Sequence, residues 1–593
     1  MRDGFIKVAA GTPKIRVADC RYNAEQIFTM MREADKQGVR VLCLPELCLT
    51  GSTCGDLFYQ ETLLRGAEEG LATILEATKN LDMVTAIGLP VRQGSRFVSG
   101  AAVIHKGELL GRLTAVDCAE MVFSCEGLPD LTLGIALGEG AAAPEANLIL
   151  CLAVKPALVG GAEDCRRQLA ARSARLACAY VRADAGDGES TTDQVFAGHN
   201  LIVENGHILA ERRFVTGLTC SEIDLGRLAY ERRRRTLPDT PPVQKISFTL
   251  EPSTTTLTRH ISPTPFIPED PEERKARCDE ILMISALGLK KRLEHTNAKC
   301  AVVGLSGGLD STLAILITAV AMKLLDRPTS DILAVTMPCF GTTERTRDNA
   351  MELAERLGAT LRRIDISASV KSHFKDIGQS MENQDVTFEN AQARERTQVL
   401  MDIANQYGGL VVGTGDLSEL ALGWCTYNGD HMSMYAVNAD IPKTLMRHMV
   451  SAVAGDKAEE DKRLSDVLTD ILDTPVSPEL LPAVNGAIAQ KTEDLVGPYE
   501  LHDFFLYYTV RWGMSPRKIL RLAEQAFARR YDRATILKWL RVFCRRFFSQ
   551  QFKRSCMPDG PAVGSVGLSP RSGWVMPSDA GAALWLEELE GLE

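Results

Sequence analysis

A short apolar run, Cys300-Ala301-Val302-Val303, passes directly into Gly304-Leu305-Ser306-Gly307-Gly308-Leu309-Asp310-Ser311. The pattern predicts a buried strand, a turn of small residues, and a helix over 311–325 opened by Ser311. Such a turn aims several backbone N–H groups and a helix N-terminus at one spot, which suits a phosphate. It lacks the Gly-Lys-Ser/Thr ending with which a P-loop brings a lysine to the terminal phosphates. Asp310 stands there instead, a residue that can hold Mg²⁺ against a polyphosphate. On pattern alone, the same glycines could also serve only to cap a helix.

The surrounding chain has 593 residues, too many for one core, and roughly two to four domains are expected. Hydrophobic residues make up 45% and charged residues 24%, the balance of an ordinary globular protein. A net charge of −10 argues against a broad nucleic-acid-binding surface. The 16 cysteines show no repeating CxxC pairs and there are no histidine clusters, so neither a zinc site nor a disulfide framework is indicated. Met1-Arg2-Asp3-Gly4 has no signal-peptide pattern, and no apolar run reaches the roughly twenty residues that span a bilayer. A cytoplasmic protein with reduced thiols, without nucleic-acid or membrane partners, is expected.

From about residue 5 to 230, short apolar strands (39–44, 84–89) alternate with amphipathic helices. Helix 23–37 carries Ile27, Met30, Met31 and Ala34 on one face. Residues 236–268 hold several prolines and the run Ser253-Thr254-Thr255-Thr256, a composition that resists helix; they are taken as a linker between a domain over 1–235 and another over 269–593. In the second, strands at 301–304, 332–337, 360–366 and 410–413 alternate with helices at 311–325, 344–357 and 389–407. That order implies a mostly parallel sheet covered on both faces, with ligands beyond the strand carboxyl ends, where 306–311 and 414–419 fall. The basic helical stretch 512–548 is expected to present one charged face, and the Gly-, Pro- and Ser-rich residues 553–593 to wrap over the domain or a partner.

Three further segments are too specific for a generic α/β chain: Asp385-Val386-Thr387-Phe388-Glu389-Asn390-Ala391-Gln392-Ala393-Arg394, then Gly413-Thr414-Gly415-Asp416-Leu417-Ser418-Glu419-Leu420-Ala421-Leu422-Gly423-Trp424-Cys425-Thr426-Tyr427, and Gln551-Phe552-Lys553-Arg554-Ser555. With them the chain closely resembles the glutamine-dependent NAD⁺ synthetases over nearly its whole length. The resemblance implies a nitrilase-like α-β-β-α sandwich followed by a doubly wound parallel-sheet α/β/α domain of the adenine-nucleotide hydrolase-like (PP-loop) kind. It implies a carbon–nitrogen ligase that adenylylates deamido-NAD⁺ with ATP and Mg²⁺, then lets ammonia displace AMP. Gly304, Leu305, Ser306, Gly307, Gly308, Leu309, Asp310, Ser311 and Thr414 would bind ATP. Asp310 and Glu419 would hold Mg²⁺. Asn390, Glu419, Trp424, Cys425, Thr426, Tyr427 and Lys553 would line the deamido-NAD⁺ pocket. A homo-oligomer, dimer or larger, is implied as well. The residues leave blander readings open: Trp424 and Tyr427 as core aromatics, and Lys553 with Arg554 as a solvated pair.

The first domain departs from its own family. Glu46, in Leu44-Pro45-Glu46-Leu47-Cys48, keeps the position of the amidase general base, and Gly188-Glu189-Ser190-Thr191-Thr192-Asp193 and Arg166-Arg167-Gln168-Leu169 keep nitrilase landmarks. The oxyanion lysine position reads Ala115, and the nucleophile cysteine position reads Gly138, within Gly134-Ile135-Ala136-Leu137-Gly138-Glu139-Gly140. Two glutamine-contacting positions read Lys155 and Gly161. Glu46 is therefore expected to be an inactive remnant, and nitrogen to enter as ammonia rather than from glutamine. Alternatives are a relocated thiol among Cys118, Cys125 and Cys151, a non-catalytic dinucleotide-binding assembly subunit, or another ATP-pyrophosphatase amidotransferase. Against an asparagine-synthetase-like chain, Arg2 stands where those enzymes use cysteine, and no Cys-His-Glu set of the GMP-synthetase kind is evident.

Overall fold

The computed structural model describes residues 3–94, 96–235, 242–474, 480–481 and 492–592. The chain divides into two compact units, residues 1–260 and 261–593.

The first unit stacks two sheets. A six-stranded sheet has the order Gly217–Asp224, Phe5–Thr12, Val41–Cys43, Val84–Gln93, Arg96–His105 and Glu108–Leu113. A seven-stranded sheet runs His207–Arg212, Asn200–Glu204, Ala179–Asp184, Leu148–Ala153, Thr132–Leu137, Met121–Cys125 and Gln244–Phe248. Their inner faces share a dry core that includes Ile6, Val8, Val103, Phe123, Leu150 and Val181, all fully buried. Helices Cys20–Lys36 and Glu61–Ala77 cover one outer face and Gly161–Leu176 the other, giving the α-β-β-α sandwich. Helix Cys20–Lys36 buries the stripe Ile27, Met30, Met31 and Ala34 that its spacing announces, and Asp19 caps it by accepting from the Tyr22 N–H at 3.1 Å.

Most of the described part of 236–268 is not a free linker. Gln244–Phe248 adds a parallel edge strand beside Met121–Cys125, from Gln244↔Met121 to Phe248↔Cys125. Prolines forbid a central strand but not the flanks of an edge strand, and here Pro242 and Pro252 bracket the paired residues. The chain stays with the first unit as far as Arg259, whose guanidinium reaches the fully buried Glu204 at 3.0 and 3.2 Å. The Arg259 N–H and the Thr258 hydroxyl donate to Glu222 at 2.9 and 2.8 Å. Burial opposes the Glu204 charge, but Arg259 and Arg227 outweigh it and hold the carboxyl below its usual range. Residues 236–241 lie outside the described residues.

The second unit holds a parallel five-stranded sheet in the order Thr360–Arg363, Ile332–Thr336, Ala301–Gly304, Leu410–Gly413, Tyr435–Ala436. Every neighbouring pair is parallel. The chain starts at the central strand, moves to one edge, then returns to the other side. The strand order therefore reverses between Ala301–Gly304 and Leu410–Gly413, which is where such sheets open a crevice. Helix Leu309–Leu324 begins two residues before the expected start, with Gly308 as an extended N-cap, so Leu309 and Asp310 belong to the helix and not to the turn. Helix Val386–Tyr407 likewise starts early, because Asp385 accepts from the Thr387 and Phe388 N–H groups. The tail wraps over its own unit: the Ala436 N–H donates to the Asp559 carbonyl at 2.7 Å, and Arg292 pairs with Asp559. All sixteen cysteines are free, and among the described residues no helix is long and apolar enough to cross a membrane.

Removing one partner of a buried ion pair strands the other charge at a cost of about 3–5 kcal/mol. Arg259→Met should therefore lower the urea midpoint of the first unit's unfolding transition while leaving that of the second unaltered.

Candidate active site

The turn after strand Ala301–Gly304 is fixed by its own side chains. Ser306 Oγ accepts from the Gly308 N–H at 3.2 Å and lies 3.1 Å from Ser311 Oγ, while the Ser306 N–H donates to Ser311 Oγ at 3.3 Å. Gly307 has φ +87°, and a Cβ there would sit 1.9 Å from the Thr346 carbonyl oxygen, so no other residue fits. The buried Asn438 side chain donates to the carbonyls of Asp310 (2.9 Å) and Thr414 (3.0 Å), stitching the helix start to the neighbouring strand end. The turn, the Leu309–Leu324 N-terminus and Thr414 therefore share one mouth.

Four ionisable groups converge beside it. The Lys443 ammonium, almost fully buried, lies 2.5 Å from Asp310 Oδ1, 2.6 Å from Asp416 Oδ2 and 3.1 Å from Glu419 Oε1. Asp416 also caps helix Leu417–Leu422 through the Glu419 N–H at 2.8 Å, which places Glu419 one turn along, facing the same lysine. Burial pushes the Asp416 carboxyl up to about 7 and the Glu419 carboxyl well above its usual value, against the pull of Lys443. Burial opposes the Lys443 charge too, but the three carboxylates hold its pKa well above that of an ordinary lysine. With all three carboxyls ionised the cluster would hold more negative charge than Lys443 offsets; the raised carboxyls retain protons for that reason, and a bound cation would take the protons' place. Asp310, Asp416 and Glu419 can bring one oxygen each within 4.8 Å of one another, the only such group among the described residues. An all-oxygen donor set fits Mg²⁺.

A further shell holds Lys443 in place. Its backbone N–H donates to Ser418 Oγ at 2.8 Å, Ser418 donates to the buried Asp503, and Thr444 donates to the other Asp503 oxygen through N–H (3.0 Å) and hydroxyl (2.6 Å). Lys443, Asn438 and Asp503 escaped the sequence reading, since no spacing links Lys443 to Asp310, 133 residues earlier. Asp416 announces itself in the sequence only by its position before Leu417-Ser418-Glu419, a helix-capping signal.

The other expected residues form a neighbouring wall. Thr426 donates its hydroxyl to Asn390 Oδ1 at 2.8 Å. Lys553 donates to the carbonyls of Gly423 (2.8 Å) and Cys425 (2.7 Å), and Arg554, 1% exposed, to those of Leu420 and Ala421. The two cations are thus not a solvated pair: they clamp segment 420–425. Tyr427 is 44% exposed, stacked on His431 with ring centroids 5.0 Å apart, so it is not a core aromatic. Trp424 is half-buried, with the Arg546 guanidinium 5.4 Å from its ring. Glu419 and Cys425 line a common small cavity with Gly413 and His431.

In the first unit, Gly138 follows strand Thr132–Leu137 with φ +56°, and a Cβ there would stand 3.7 Å from Glu46 Oε2. The position faces Glu46 but carries no thiol, and Ala115 is exposed and uncharged. Burial raises the Glu46 carboxyl. Cys118 and Cys151 are 1% and 4% exposed, and burial, before any nearby charge, pushes each thiol up to about 12. Lys155 is tied to Glu139 at 2.6 Å, and Gly161 opens helix Gly161–Leu176. Glu189, one of the nitrilase landmarks, accepts from the Ser52 and Thr53 N–H groups at 2.7 and 3.1 Å and so supports the loop after Glu46.

Comparison with known proteins agrees with this division. Residues 281–526 match the NAD synthase family, and residues 7–116 match the carbon-nitrogen hydrolase family. A glutamine-dependent NAD(+) synthetase of Mycobacterium leprae is 37% identical over 99% of this chain and 98% of its own length; one of Aquifex aeolicus is 25% identical over 95% and 97%. The first alignment runs over 668 positions, more than the 593 residues here, so that relative has segments with no counterpart in this chain. A solved glutamine-dependent NAD(+) synthetase from Cytophaga hutchinsonii is 18% identical, with a TM-score of 0.44, over 99% of this chain and 100% of that one. Identity of this level over the full length of both proteins, with both domain families matched in order, places the chain in the glutamine-dependent NAD⁺ synthetase family of carbon–nitrogen ligases.

Proposed function

We propose that the second unit converts deamido-NAD⁺ to NAD⁺ in two steps, with free or externally supplied ammonia as the nitrogen source. A pyridine carboxylate is resonance-stabilised and has no leaving group that ammonia can displace. In the first step its oxygen attacks the α-phosphorus of ATP, expelling pyrophosphate and giving a mixed anhydride with AMP. In the second, ammonia adds to the activated carbonyl and AMP departs. The observation that carries this reading is the Asp310–Asp416–Glu419–Lys443 cluster at the mouth of the 304–311 turn.

Gly304, Leu305, Ser306, Gly307, Gly308 and Ser311 would surround the phosphates, with the Ser306 and Ser311 hydroxyls at the turn, Leu309 and Asp310 at the helix N-terminus and Thr414 across the crevice. Asp310 and Glu419, with Asp416 beside them, would hold Mg²⁺, which spreads the charge of the triphosphate when bound. Lys443 supplies a fixed positive charge where the pyrophosphate becomes more negative, and burial strengthens that contribution. Asn390, Trp424, Cys425, Thr426 and Tyr427 would hold the dinucleotide, the exposed Tyr427 face offering a surface for a ring, with Lys553 bracing the segment from behind.

The relatives are named as glutamine-dependent, and that reading requires a thiol in the first unit. Gly138 supplies none. Cys118 and Cys151 are buried and protonated at neutral pH, whereas an amidase needs a thiolate with oxyanion donors in reach. Loss of a nucleophile alone costs several orders of magnitude. The retained Glu46 is read as a remnant.

Three outcomes follow. Steady-state NAD⁺ formation should proceed with ammonium and fall at least about 100-fold with glutamine as sole donor, consistent with the missing nucleophile; equal rates would overturn the ammonia assignment while leaving the ligase intact. Asp310→Ala should abolish ATP–pyrophosphate exchange with an unchanged circular dichroism spectrum, and a folded variant that still exchanges would remove Asp310 from the reaction. Lys443→Met should reduce exchange by about 100-fold or more, the scale of losing one preorganised charge, with a lowered melting temperature from three uncompensated carboxylates.

A further inference from the structure

One deeply buried hydroxyl beside the ligase cluster serves no purpose in the fold itself. Tyr499 opens helix Tyr499–Leu506 and is 3% exposed. Its hydroxyl oxygen is shut off from solvent and meets no hydrogen-bond partner among the described residues. Buried phenols ordinarily find one; Tyr531, for example, donates to Glu500 at 2.7 Å. A hydroxyl left unpaired at such depth is a cost to folding, and it calls for an acceptor that another event supplies.

The chain takes trouble to put it there. Gly497 turns into the helix with φ +101°, and a Cβ at that position would stand 2.5 Å from the Trp539 ring. The Tyr499 N–H is then held by Glu493 Oε1 at 3.0 Å. Four residues on, and so on the same helix face, Asp503 holds Ser418 and Thr444. The helix therefore packs against both Leu417–Leu422 and Lys443–Lys457, and the Lys443 ammonium lies 5.4 Å from the centre of the Tyr499 ring. Burial pushes the Tyr499 phenol well above its usual range; of the neighbouring charges Glu419 adds most to the rise, ahead of Asp416 and Asp310, with Lys443 opposing it. Glu419 spends Oε1 on Lys443 at 3.1 Å, and among the described residues nothing donates to its second oxygen. Arg546, also near the phenol, gives its Nε–H to the Leu422 carbonyl at 2.9 Å.

We propose that Tyr499 is a positioning residue of the cation site: when a divalent cation draws on Asp310, Asp416 and Glu419, the Tyr499 hydroxyl donates to the second oxygen of Glu419 and holds that carboxylate in its ligating orientation. This rests on the reading of those three carboxylates as cation ligands. An ionised carboxylate accepts at both oxygens, so a metal bond and a hydrogen bond do not compete for the same lone pair. A hydroxyl bonded to an ionised group is also among the stronger hydrogen bonds. Lys443 cannot do the same, because its ammonium is shared among three carboxylates. Phenylalanine at this position keeps the ring beside Lys443 and loses only the donor.

Two readouts test this without any turnover: electron paramagnetic resonance of free Mn²⁺, added alone to the full chain, and the melting temperature of the cation-free protein. Tyr499→Phe should weaken Mn²⁺ binding by about tenfold or more, the factor carried by one hydrogen bond to a charged group. Without cation the same variant should melt at or above the parent temperature, since the hydroxyl it lacks had no partner. Asp310→Asn should remove the bound Mn²⁺, which assigns that ion to the cluster. Parental Mn²⁺ affinity in Tyr499→Phe, a lowered cation-free melting temperature in that variant, Mn²⁺ retained by Asp310→Asn, or a parent chain that binds no Mn²⁺ would each overturn the assignment. ATP–pyrophosphate exchange by the parent keeps the two readings apart: if it proceeds while any of these results is found, the ligase stands and the role of Tyr499 falls.

Discussion

A single ammonium buried among three carboxylates organises the second unit. Lys443 cannot be placed there without Asp310, Asp416 and Glu419, and these three cannot share so small a volume without a cation. The arrangement draws four separate elements to one point: the start of helix Leu309–Leu324, the strand end before Leu417, the helix Leu417–Leu422, and the first residue of helix Lys443–Lys457. Asp503 and Ser418 then lock the lysine from behind. The cluster is costly to assemble and, when its carboxyls ionise, carries net negative charge, which is a poor way to stabilise a fold. It is a reasonable way to keep a site ready for a cation and a polyphosphate.

The first unit shows the opposite case, a sandwich whose packing stands with glycine at position 138 and alanine at position 115. The backbone at Gly138 still faces Glu46, and Glu189 still props the loop after it, because both belong to the packing of the two-sheet sandwich. Neither a thiol at 138 nor a lysine at 115 is needed for that packing, since the two sheets close over their common core without them. Fold and reaction depend on different residues within the same domain.

The legible parts of the sequence were those with local causes. The turn at 304–311 is a run of small residues with one allowed geometry at Gly307, and helix 23–37 is a stripe of apolar residues; both can be read within a window of one element. Helix starts moved by up to three residues, because caps at Asp19, Gly308 and Asp385 recruit the residues just before the periodic stretch. Within 236–268 the strand Gln244–Phe248 is not legible, since proline content rules out helix without ruling out an edge strand, and nothing near Lys245 in the chain indicates that Met121–Cys125 lies open beside it. Lys443, Asn438 and Asp503 were invisible for a deeper reason: each acts across 24 to 133 residues, and only the folded sheet brings their partners into reach. Lone polar residues in ordinary helices leave no local trace of such partners.

The clamp on segment 420–425 has a consequence for synthesis. Lys553 and Arg554 hold carbonyls 128 to 134 residues earlier in the chain. While those two residues are still inside the ribosomal tunnel, the carbonyls of Leu420, Ala421, Gly423 and Cys425 have no cation to meet. The wall of the crevice therefore stays incomplete until translation has passed Arg554, long after segment 420–425 itself has been made.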